Sequence, residues 1–444
     1  MEIKKALKMQ ASPRICVIGA GPSGLAAIKN LQEQGLSSIT AFEKNNQVGG
    51  NWVFDENNAH SSVYETTHII SSRRWSEFED FPMPVHYTDY PSHALLLKYF
   101  QSYAQHFDLY KYISFNTTVL KVTRTDDNIW QVVYENEQGI HETCFDYLLV
   151  ANGHHWDPFL PEYEGEFSGE LLHSHQYKKA SVFTGKRVLV VGGGNSACDV
   201  AVEISRVTPQ TSISMRRGYH IFPKFIIGKP TDVAFAKIRW MPAWLRQKCI
   251  QIVIRLLQGR YDKYKLMKPD CGPLEIHPTI NSELLYSIRH GKVAPRPGID
   301  HFEGNKVHFS DGRTEEYDTV IFATGYKISF PFFDKECIDF TNSTEVPLYR
   351  KMMHADFDNL YFIGLCQPQG CIWPLADYQS KIVARIINGT LNRPEELHKK
   401  IAKEIKKPHY RFKSHRRHAL EVDYHMFRRE LLQMLGQKRF GFKL

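Results

Sequence analysis

One pattern of apolar and polar positions occurs twice along the chain. In the first copy, residues 15–18 are apolar and end in a glycine-rich turn, apolar residues at helical spacing follow as far as Gly35, and residues 39–43 form a second mostly apolar run. A short apolar run that leads through a turn into a 3.6-residue periodicity is typical of a strand followed by a helix. The first copy therefore predicts a strand, a glycine turn, a helix and a second strand.

The second copy repeats this order from residue 186. Residues 188–191 are apolar, Gly192 and Gly194 stand in the following turn, residues 199–204 continue a helical pattern, and residues 212–215 are typical of the next strand. The repeat of one order at two places in the chain predicts two structurally similar units.

The glycines stand where a phosphate-binding turn needs them. Gly19 permits the tight turn, Gly21 lets the backbone approach a pyrophosphate, and Gly24 lets the helix pack close to the strand. The second copy has the same spacing with Ala197 in the last position. The N–H groups and the positive dipole end of each helix then face the phosphates. One such motif is weak evidence, but two in the same strand and helix context predict two dinucleotide sites.

The residue after the second strand differs in charge between the copies. Glu43 follows Gly19 by 24 positions and Arg216 follows Gly192 by 24 positions, so the two are predicted to occupy equivalent places. A carboxylate accepts hydrogen bonds from ribose hydroxyls and repels a 2′-phosphate, which a guanidinium binds. The first site is therefore expected to bind FAD, and the second, with Arg216 and Arg217, to bind NADPH rather than NADH.

Each copy of the pattern ends in a similar segment. Residues 145–158 and residues 317–326 each contain an aspartate, an apolar strand and an Ala-x-Gly sequence, which suits a crossing between lobes. Residues 306–318 predict a hairpin with Asp311-Gly312 at its turn. Residues 228–273 predict a long helical insertion that contains Trp240 and Trp244, and its apolar residues are interpreted as a packed cap rather than a binding groove.

These patterns predict the α/β class, with two Rossmann-like dinucleotide-binding domains and the NADPH-binding domain inserted into a discontinuous FAD-binding domain. The expected segments are residues 1–160 for the first part of the FAD-binding domain, residues 161–320 for the NADPH-binding domain with its insertion at about 228–273, and residues 321–444 for the second part of the FAD-binding domain and the C-terminal helices.

Composition adds few constraints. The net charge of +8, with 42% hydrophobic and 23% charged residues, is ordinary for a soluble globular protein, and no zinc-finger spacing or basic helix predicts a nucleic-acid partner. Residues 1–13 do not resemble a signal peptide, residues 428–444 are too charged for a tail anchor, and no apolar run is long enough to span a membrane. We expect a cytoplasmic protein without a membrane partner, and the apolar insertion makes a homodimer reasonable.

Eight cysteines are spread along the chain without a Cys-x-x-Cys pair, which favours reduced thiols. Cys366 and Cys371 are interpreted as packing residues, with a redox pair as the alternative. No cluster predicts a metal site. The cysteines are at positions 16, 144, 198, 249, 271, 337, 366 and 371.

A family resemblance rests on residues 167–177. They match the F-x-G-x-x-x-H-x-x-x-Y/F fingerprint of flavin-containing monooxygenases, with His173 and Tyr177 at its last two fixed positions. The resemblance runs from about residue 13 to about residue 436. Further matching segments are the two glycine motifs, residues 77–84, His277-Pro278-Thr279, Ala323-Thr324-Gly325-Tyr326 and Val422-Asp423-Tyr424. Baeyer–Villiger enzymes usually carry Trp where this chain has Tyr177, so the resemblance favours oxygenation of heteroatoms.

The resemblance implies an N,N-dimethylaniline monooxygenase type of chemistry. NADPH reduces FAD, and the reduced flavin reacts with O2 to form a C4a-hydroperoxide. One oxygen atom passes to a small-molecule soft nucleophile, an amine nitrogen or a thioether sulfur, and the other leaves as water. The cofactor carries the reactive centre, so no catalytic protein nucleophile is expected.

The resemblance also implies which residues bind the cofactors. His173 is interpreted as a packed histidine bonded to backbone rather than as a catalytic group. For NADPH the residues are Tyr177, Gly192, Gly194, Asn195, Ser196, Ala197, Arg216 and Arg217. For FAD they are Gly19, Gly21, Pro22, Ser23, Gly24, Glu43, Gly50, Asn51, Trp52, Val119, Thr324 and Gly325.

One position departs from the family pattern. Related enzymes carry an Asn near the flavin where this chain has Ile70, with Ser71 and Ser72 as neighbouring hydroxyl candidates. Isoleucine can exclude water but cannot hydrogen-bond to the oxygenated flavin, which puts the coupling of NADPH oxidation to oxygenation in doubt. Three alternatives therefore stay open: a Baeyer–Villiger enzyme for ketones, an uncoupled NADPH oxidase that releases hydrogen peroxide, and a non-catalytic dinucleotide sensor.

Overall fold

Two parallel sheets, each of five strands, organise the chain. The structure is a computed structural model that describes residues 12–57, 60–273, 275–409 and 419–437. The helices are α1 Pro22–Glu33, α2 Arg73–Ser76, α3 His93–His106, α4 Asn195–Ile204, α5 Thr231–Ala236, α6 Ala243–Gln258, α7 Leu284–Arg289, α8 Trp373–Ile387, α9 Leu397–Lys406 and α10 Tyr424–Met434. The strands are β1 Ile15–Ile18, β2 Ile39–Phe42, β3 Ile113–Ser114, β4 Thr118–Arg124, β5 Trp130–Asn136, β6 Gly139–Phe145, β7 Tyr147–Val150, β8 Glu170–His173, β9 Arg187–Val191, β10 Gln210–Ser214, β11 Ile221–Phe222, β12 Phe225–Ile226, β13 Lys229–Pro230, β14 Thr279–Ile280, β15 Val293–Arg296, β16 Ile299–Glu303, β17 Lys306–Phe309, β18 Thr314–Glu316, β19 Thr319–Phe322, β20 Leu360–Phe362, β21 Gln367–Pro368 and β22 Glu421–Val422.

The first sheet has the order β20-β7-β1-β2-β3, and the second has the order β15-β10-β9-β19-β8. All neighbouring strands within these two sheets are parallel, and their central strands are fully buried. Such strands need helices on the faces of the sheet, which explains their continuous apolar runs. We call the first sheet, with the helices and loops before β8 and after β19, the first unit, and the second sheet, with the helices and loops from β8 to β19, the second unit.

The first unit is discontinuous in sequence. Its edge strand β20 follows the whole of the second sheet along the chain and pairs with β7. The predicted fold class, with one dinucleotide-binding unit inserted into another, is confirmed. The predicted boundaries at residues 160 and 320 stay predictions, although β19, which spans the second of them, lies in the second sheet.

Helix α8 ties the late segment of the first unit to α1. Asn30 donates to the Asp377 carboxylate at 2.7 Å, and the ammonium of Lys29, with no exposed surface, lies 3.3 Å from the same carboxylate. Burial opposes the charge of Lys29, but Asp377 and Asp80 outweigh that effect and raise its pKa. Two parts of the chain more than 300 residues apart therefore share one buried polar contact.

The insertion is helical only in part. The short antiparallel strands β12 and β13 lead into α5, and α6 follows. The inner face of α6 buries Ile250 and Ile254 against Phe222. Trp240 and Trp244 are 82% and 62% exposed, so the prediction that they belong to a packed cap is wrong. Helix α6 is amphipathic and buries one face only; Trp244 lies outside that face, and Trp240 precedes the helix. The homodimer stays a prediction.

Other local predictions have clear outcomes. Strands β17 and β18 form the predicted antiparallel hairpin, with Gly312 at a φ of +83° in its turn. Cys366 and Cys371 are both free and buried in the core of the first unit, as packing residues are. Within the described ranges no helix is long and apolar enough to cross a membrane. Much of residues 1–13 and of the charged end of the chain lies outside the described residues.

Candidate active site at the junction of the two units

The first glycine loop, residues 19–24, allows contacts that only glycine permits. Gly19 has a φ of +102°, and a Cβ there would lie 2.7 Å from the carbonyl oxygen of Ala151. A Cβ on Gly24 would lie 1.9 Å from the carbonyl oxygen of Gly19. Helix α1 begins directly after Gly21, and no side chain of the described residues caps it. Its first N–H groups therefore face the loop, as a pyrophosphate site requires.

A second turn packs against this loop. Gly50 has a φ of +53°, and a Cβ on it would lie 2.9 Å from the Cα of Gly21. The next residue, Asn51, accepts hydrogen bonds from the backbone N–H and the hydroxyl of Ser62 at 2.7 and 2.9 Å. The ring of Trp52 meets Trp373 edge-on at 5.7 Å. The structure therefore brings the predicted residues 50–52 to the first loop.

Glu43 is buried beside the same loop. Its carboxylate accepts the N–H groups of Ala20 at 2.6 Å and Asn45 at 2.9 Å, and burial raises its pKa. A carboxylate has about four acceptor positions, so it can hold the loop and still accept a hydrogen bond from a ribose hydroxyl. Thr117 donates its N–H to the carbonyl of Glu43 at 2.9 Å, which places Val119, two residues later on β4, in the same neighbourhood.

The second glycine loop, residues 192–197, has the same backbone contact. Gly192 has a φ of +140°, and a Cβ there would lie 2.4 Å from the carbonyl oxygen of Ala323, as Gly19 approaches Ala151. Helix α4 follows, with Ala197 buried and Ser196 exposed. A Cβ on Gly193 would overlap the ring of Tyr219, which covers this loop. Both loops therefore fit a dinucleotide pyrophosphate.

The strand register contradicts one prediction. Ile18 pairs with Phe42 in the first unit, whereas Val191 pairs with Ser214 in the second. The N–H of Gly19 correspondingly donates to Phe42, and that of Gly192 donates to Ser214. The structural equivalent of Glu43 is therefore Met215 and not Arg216. The cause is that the connection from loop to strand is one residue shorter in the second unit.

Arg216 lies one position further on and corresponds to Lys44 of the first unit. Its side chain is exposed, while Arg217 is half-buried with its guanidinium 5.5 Å from the ring centre of Tyr219. The Nε of Arg217 is shielded from solvent and has no hydrogen-bond partner in the part of the chain that the structure describes. This guanidinium lies beside the second glycine loop and lacks an acceptor for one N–H group. It is therefore suited to bind the 2′-phosphate of NADPH.

The fingerprint residues connect the units. Tyr177 is 1% exposed and donates its hydroxyl to Glu203 of α4 at 2.9 Å, and its ring packs edge-on against Tyr64 of the first unit. His173 is equally buried, and its Nδ1 accepts the backbone N–H of His175 at 3.1 Å. Burial and then His175 lower the pKa of His173 to about 4. His173 therefore packs as a neutral, backbone-bonded histidine, and Tyr177 holds α4 in place.

The two Ala-x-Gly segments meet at the crossing between units. The hydroxyl of Thr324 donates to the carbonyl of Phe159 at 2.5 Å, and Phe159 donates its N–H to Gly325 at 3.0 Å. Gly153 and Gly325 have φ values of +73° and +92°, and no described atom lies within 4 Å of a Cβ built on either. Glycine is needed here for the backbone conformation, and the space beside it is open.

A cavity of about 150 Å³ lies at the junction of the two units and the insertion. Ile70, Ser71 and Trp75 come from the first unit, Pro278 and Ile280 from the second. Asn195 of the second loop links to this wall, because its Oδ1 accepts the N–H of Ile280 at 2.6 Å and its Nδ2 donates to Pro278 at 3.3 Å. We call this space the junction cavity.

Residues 70–72, where the chain departs from the family pattern, have different roles in this wall. Ile70 and Ser71 line the junction cavity, and the hydroxyl of Ser71 lies 2.9 Å from the hydroxyl of Ser76. Ser72 is buried and donates its N–H to Asp232 at 2.6 Å. Only Ile70 and Ser71 are therefore in a position to meet a molecule in the cavity.

Several cavity residues had no signal in the sequence. Charged and polar groups come from the insertion, from the residue after β21 and from the start of α10, and each lies in a segment without a recognisable motif. Only Ile70, Ser71 and the matches at residues 277–279 and 422–424 pointed to part of this wall. The residues that sequence reasoning missed are Asp232, Arg239, Arg246, Gln369 and His425.

Comparison with known proteins identifies the family. The chain matches the family described as flavin-binding monooxygenase-like over residues 12–442. It is 35% identical over 446 residues to flavin-containing monooxygenase 5 of Homo sapiens, covering 95% of this chain and 83% of that protein. It is 34% identical over 404 residues to dimethylaniline monooxygenase (N-oxide-forming) 2 of Rattus norvegicus, covering 86% and 75%.

A solved structure shares the fold. S-allyl-L-cysteine S-oxygenase from Allium sativum superimposes with a TM-score of 0.72 at 20% identity, covering 97% of this chain and 90% of that one. The chain belongs to the flavin-binding monooxygenase-like family. It is a flavin-containing monooxygenase whose cofactors are FAD and NADPH, so the predicted family, enzyme class and cofactors are confirmed.

Proposed function

We propose that this enzyme transfers one oxygen atom of O2 to an amine nitrogen or a thioether sulfur bound in the junction cavity. The observation that carries the proposal is the composition of the cavity wall, to which both units contribute, Ile70 from the first and Ile280 from the second. A small molecule there would adjoin both cofactor sites. The N-oxide-forming relative and the structurally similar S-oxygenase support these two substrate classes.

When bound, FAD takes a hydride from NADPH and activates O2 for transfer to a nucleophile. The protein's part is to bind, orient and exclude water. We assign the FAD pyrophosphate to the first loop, including Pro22 and Ser23, its ribose to Glu43, and its further contacts to residues 50–52, Val119, Thr324 and Gly325. We assign NADPH to Gly192, Gly194, Asn195, Ser196 and Ala197, its 2′-phosphate to Arg216 and Arg217, and the orientation of its site to Tyr177.

The test uses the enzyme loaded with FAD, with thioanisole and N,N-dimethylaniline as probes. Sulfoxide or N-oxide formed in proportion to the NADPH consumed is the expected result. Reduction of the flavin by NADPH without an oxygenated product from either probe would contradict the proposal. Ester formed from a ketone, with both probes unchanged, would indicate a Baeyer–Villiger enzyme instead.

An uncoupled NADPH oxidase is the second candidate, because Ile70 presents no hydrogen-bonding group to the cavity. Hydrogen peroxide equal to the NADPH consumed, with either probe present, would favour it. The matched variant is Ile70→Asn, which restores the amide of the family pattern. If Ile70 limits coupling, this variant should increase the product formed per NADPH, and an unchanged ratio would show that it does not.

A further inference from the structure

One cationic side chain of the junction cavity has an N–H group without a hydrogen-bond acceptor. Arg246 lies in the first turns of α6 and lines the cavity together with Arg239, which follows α5. The Nε of Arg246 is shielded from solvent and has no hydrogen-bond partner among the residues that the structure describes. A guanidinium stays protonated, and a buried donor without an acceptor is unfavourable. An anionic group in the cavity can bind this guanidinium.

The acidic groups of the cavity wall already have hydrogen-bond donors. Asp423 accepts the N–H groups of His425 at 3.0 Å and Met426 at 2.8 Å, where it caps α10. Asp232 accepts the N–H groups of Ser72 at 2.6 Å and Val233 at 2.8 Å, and burial raises its pKa. Both carboxylates therefore hold backbone, and neither is placed as the chief anchor for a cationic ligand.

The imidazole of His425 lies in a positive electrostatic environment. Burial and then the guanidinium groups of Arg239, Arg428 and Arg246 lower its pKa to about 3, against the opposing effect of Asp423. His425 stays neutral and packs edge-on against Trp75 at 4.8 Å. The cavity thus combines apolar and aromatic walls with a positively charged side, which is the chemistry of a site for an apolar molecule that carries an anionic group.

We propose that the substrate is a thioether with a carboxylate group, and that Arg246, with Arg239 beside it, binds that carboxylate. This inference rests on the proposed oxygenation and specifies its substrate class. An aliphatic amine is a cation at neutral pH and would be repelled by the two arginines, whereas a thioether sulfur is neutral at every pH and keeps its lone pair. The sulfur takes one oxygen atom to become a sulfoxide. The second oxygen leaves as water, with two electrons and one proton supplied by NADPH and a further proton from solvent.

The test offers three thioethers with the same carbon skeleton to the enzyme, which is loaded with FAD and supplied with NADPH. They are 3-(methylthio)propanoate, its neutral analogue 3-(methylthio)propanamide, and the cationic 3-(methylthio)propylamine, and sulfoxide formation is measured for each. The acid should have a kcat/KM about tenfold above that of the amide, since one charge-assisted hydrogen bond is worth about that factor. The amine should be the poorest of the three.

Two variants locate the effect. Arg246→Gln should raise KM for the acid about tenfold and leave the amide within about twofold, because only the acid uses the guanidinium. Arg255→Gln changes an exposed arginine of the same helix that does not line the cavity, and it should leave both probes unaffected. If Arg246→Gln does not fold, the comparison of acid and amide in the wild-type enzyme still decides.

Equal kcat/KM for the acid and the amide would overturn the inference and leave the proposed function intact. So would an equal loss for both probes in Arg246→Gln, or a preference for the amine that Asp232→Asn abolishes. The last result would make Asp232 the anchor of a cationic substrate. Sulfoxide from none of the three probes would overturn the inference together with the proposed oxygenation of sulfur, which distinguishes the two failures.

Discussion

The two units have the same arrangement of five parallel strands around a glycine loop but differ at the end of their second strands. In the first unit, Glu43 is buried and holds the N–H of Ala20 in the glycine loop. In the second, the equivalent place is taken by the buried Met215, and the covering contact on the loop comes from the ring of Tyr219. The first loop is therefore fixed by a carboxylate and the second by an aromatic ring.

This difference shows that equal spacing in sequence is not equal position in space. Arg216 was expected to stand where Glu43 stands, but a connection shorter by one residue moves it one position along. The shift brings Arg216 beyond the buried edge of the sheet, where a 2′-phosphate would extend from the ribose. If Glu43 binds the ribose and Arg216 the 2′-phosphate, as we propose, the acid and the base stand at neighbouring positions and not at one position with its charge reversed.

The largest expected effect comes from the close packing of the start of α1 against the first glycine loop. In the first unit, Gly24→Ala would put a Cβ 1.9 Å from the carbonyl oxygen of Gly19. We expect a loss of about 3 kcal/mol in the free energy of unfolding and of most of the bound FAD, because neither backbone segment can move away. Visible absorbance of the purified protein and its thermal unfolding measure both effects.

The matched variant in the second unit is Ala197→Gly, since Ala197 already has a Cβ at the corresponding position. It should cost about 1 kcal/mol through helix propensity and leave the bound FAD unchanged. If Gly24→Ala retains full FAD content and stability, the two loops do not differ as described.

The cofactor preference provides the second effect. Arg216→Gln should raise KM for NADPH about tenfold or more and change KM for NADH by less than about twofold, because only NADPH has the 2′-phosphate. FAD content should not change. Steady-state kinetics with each nucleotide measure the preference.

Lys44→Gln, the structurally equivalent change in the first unit, serves as the control and should leave KM for NADPH unaltered. A preference for NADPH that survives the loss of both Arg216 and Arg217 would refute the assignment of the 2′-phosphate to these residues.

The smallest expected effect is a pH dependence of stability that comes from His173, at the end of β8. The pKa of His173 is about 4 in the folded protein, mainly through burial, against about 6.5 in the unfolded chain. Between these values the unfolded chain binds a proton that the folded protein does not, so stability falls as pH decreases from 6.5 to 4 and is fully present above 6.5. His173 should contribute about 1 kcal/mol of this loss at pH 5.5.

Thermal unfolding of His173→Asn across this pH range tests the effect, because asparagine keeps an acceptor for the N–H of His175 but does not titrate. The variant should lose less stability than the wild type as pH falls. His398→Asn, at an exposed histidine, is the control and should follow the wild type. Identical pH profiles for His173→Asn and the wild type would show that His173 is not kept neutral by burial.

The sequence by itself determined the class of fold, the cofactors and the two glycine loops that we propose as the dinucleotide sites. These depend on local features: Gly19 and Gly192 need positive φ, the helices begin directly after the loops, and backbone N–H groups bind phosphates whatever the rest of the chain does. The fingerprint that ends at Tyr177 was equally readable, although its role in bonding to Glu203 was not.

Only the tertiary structure decided the register of Arg216 and the contents of the junction cavity. The register depends on a net difference of one residue between the glycine loop and the second strand, where α4 is shorter than α1, and a spacing rule cannot detect it. The cavity joins Ile70, Arg246, Ile280 and His425, which lie on four segments distant in sequence. The packing of the insertion and of α10 decides which charged side chains face one another across the cavity. Electrostatic interactions between side chains depend on their distance in space and not on their separation along the chain.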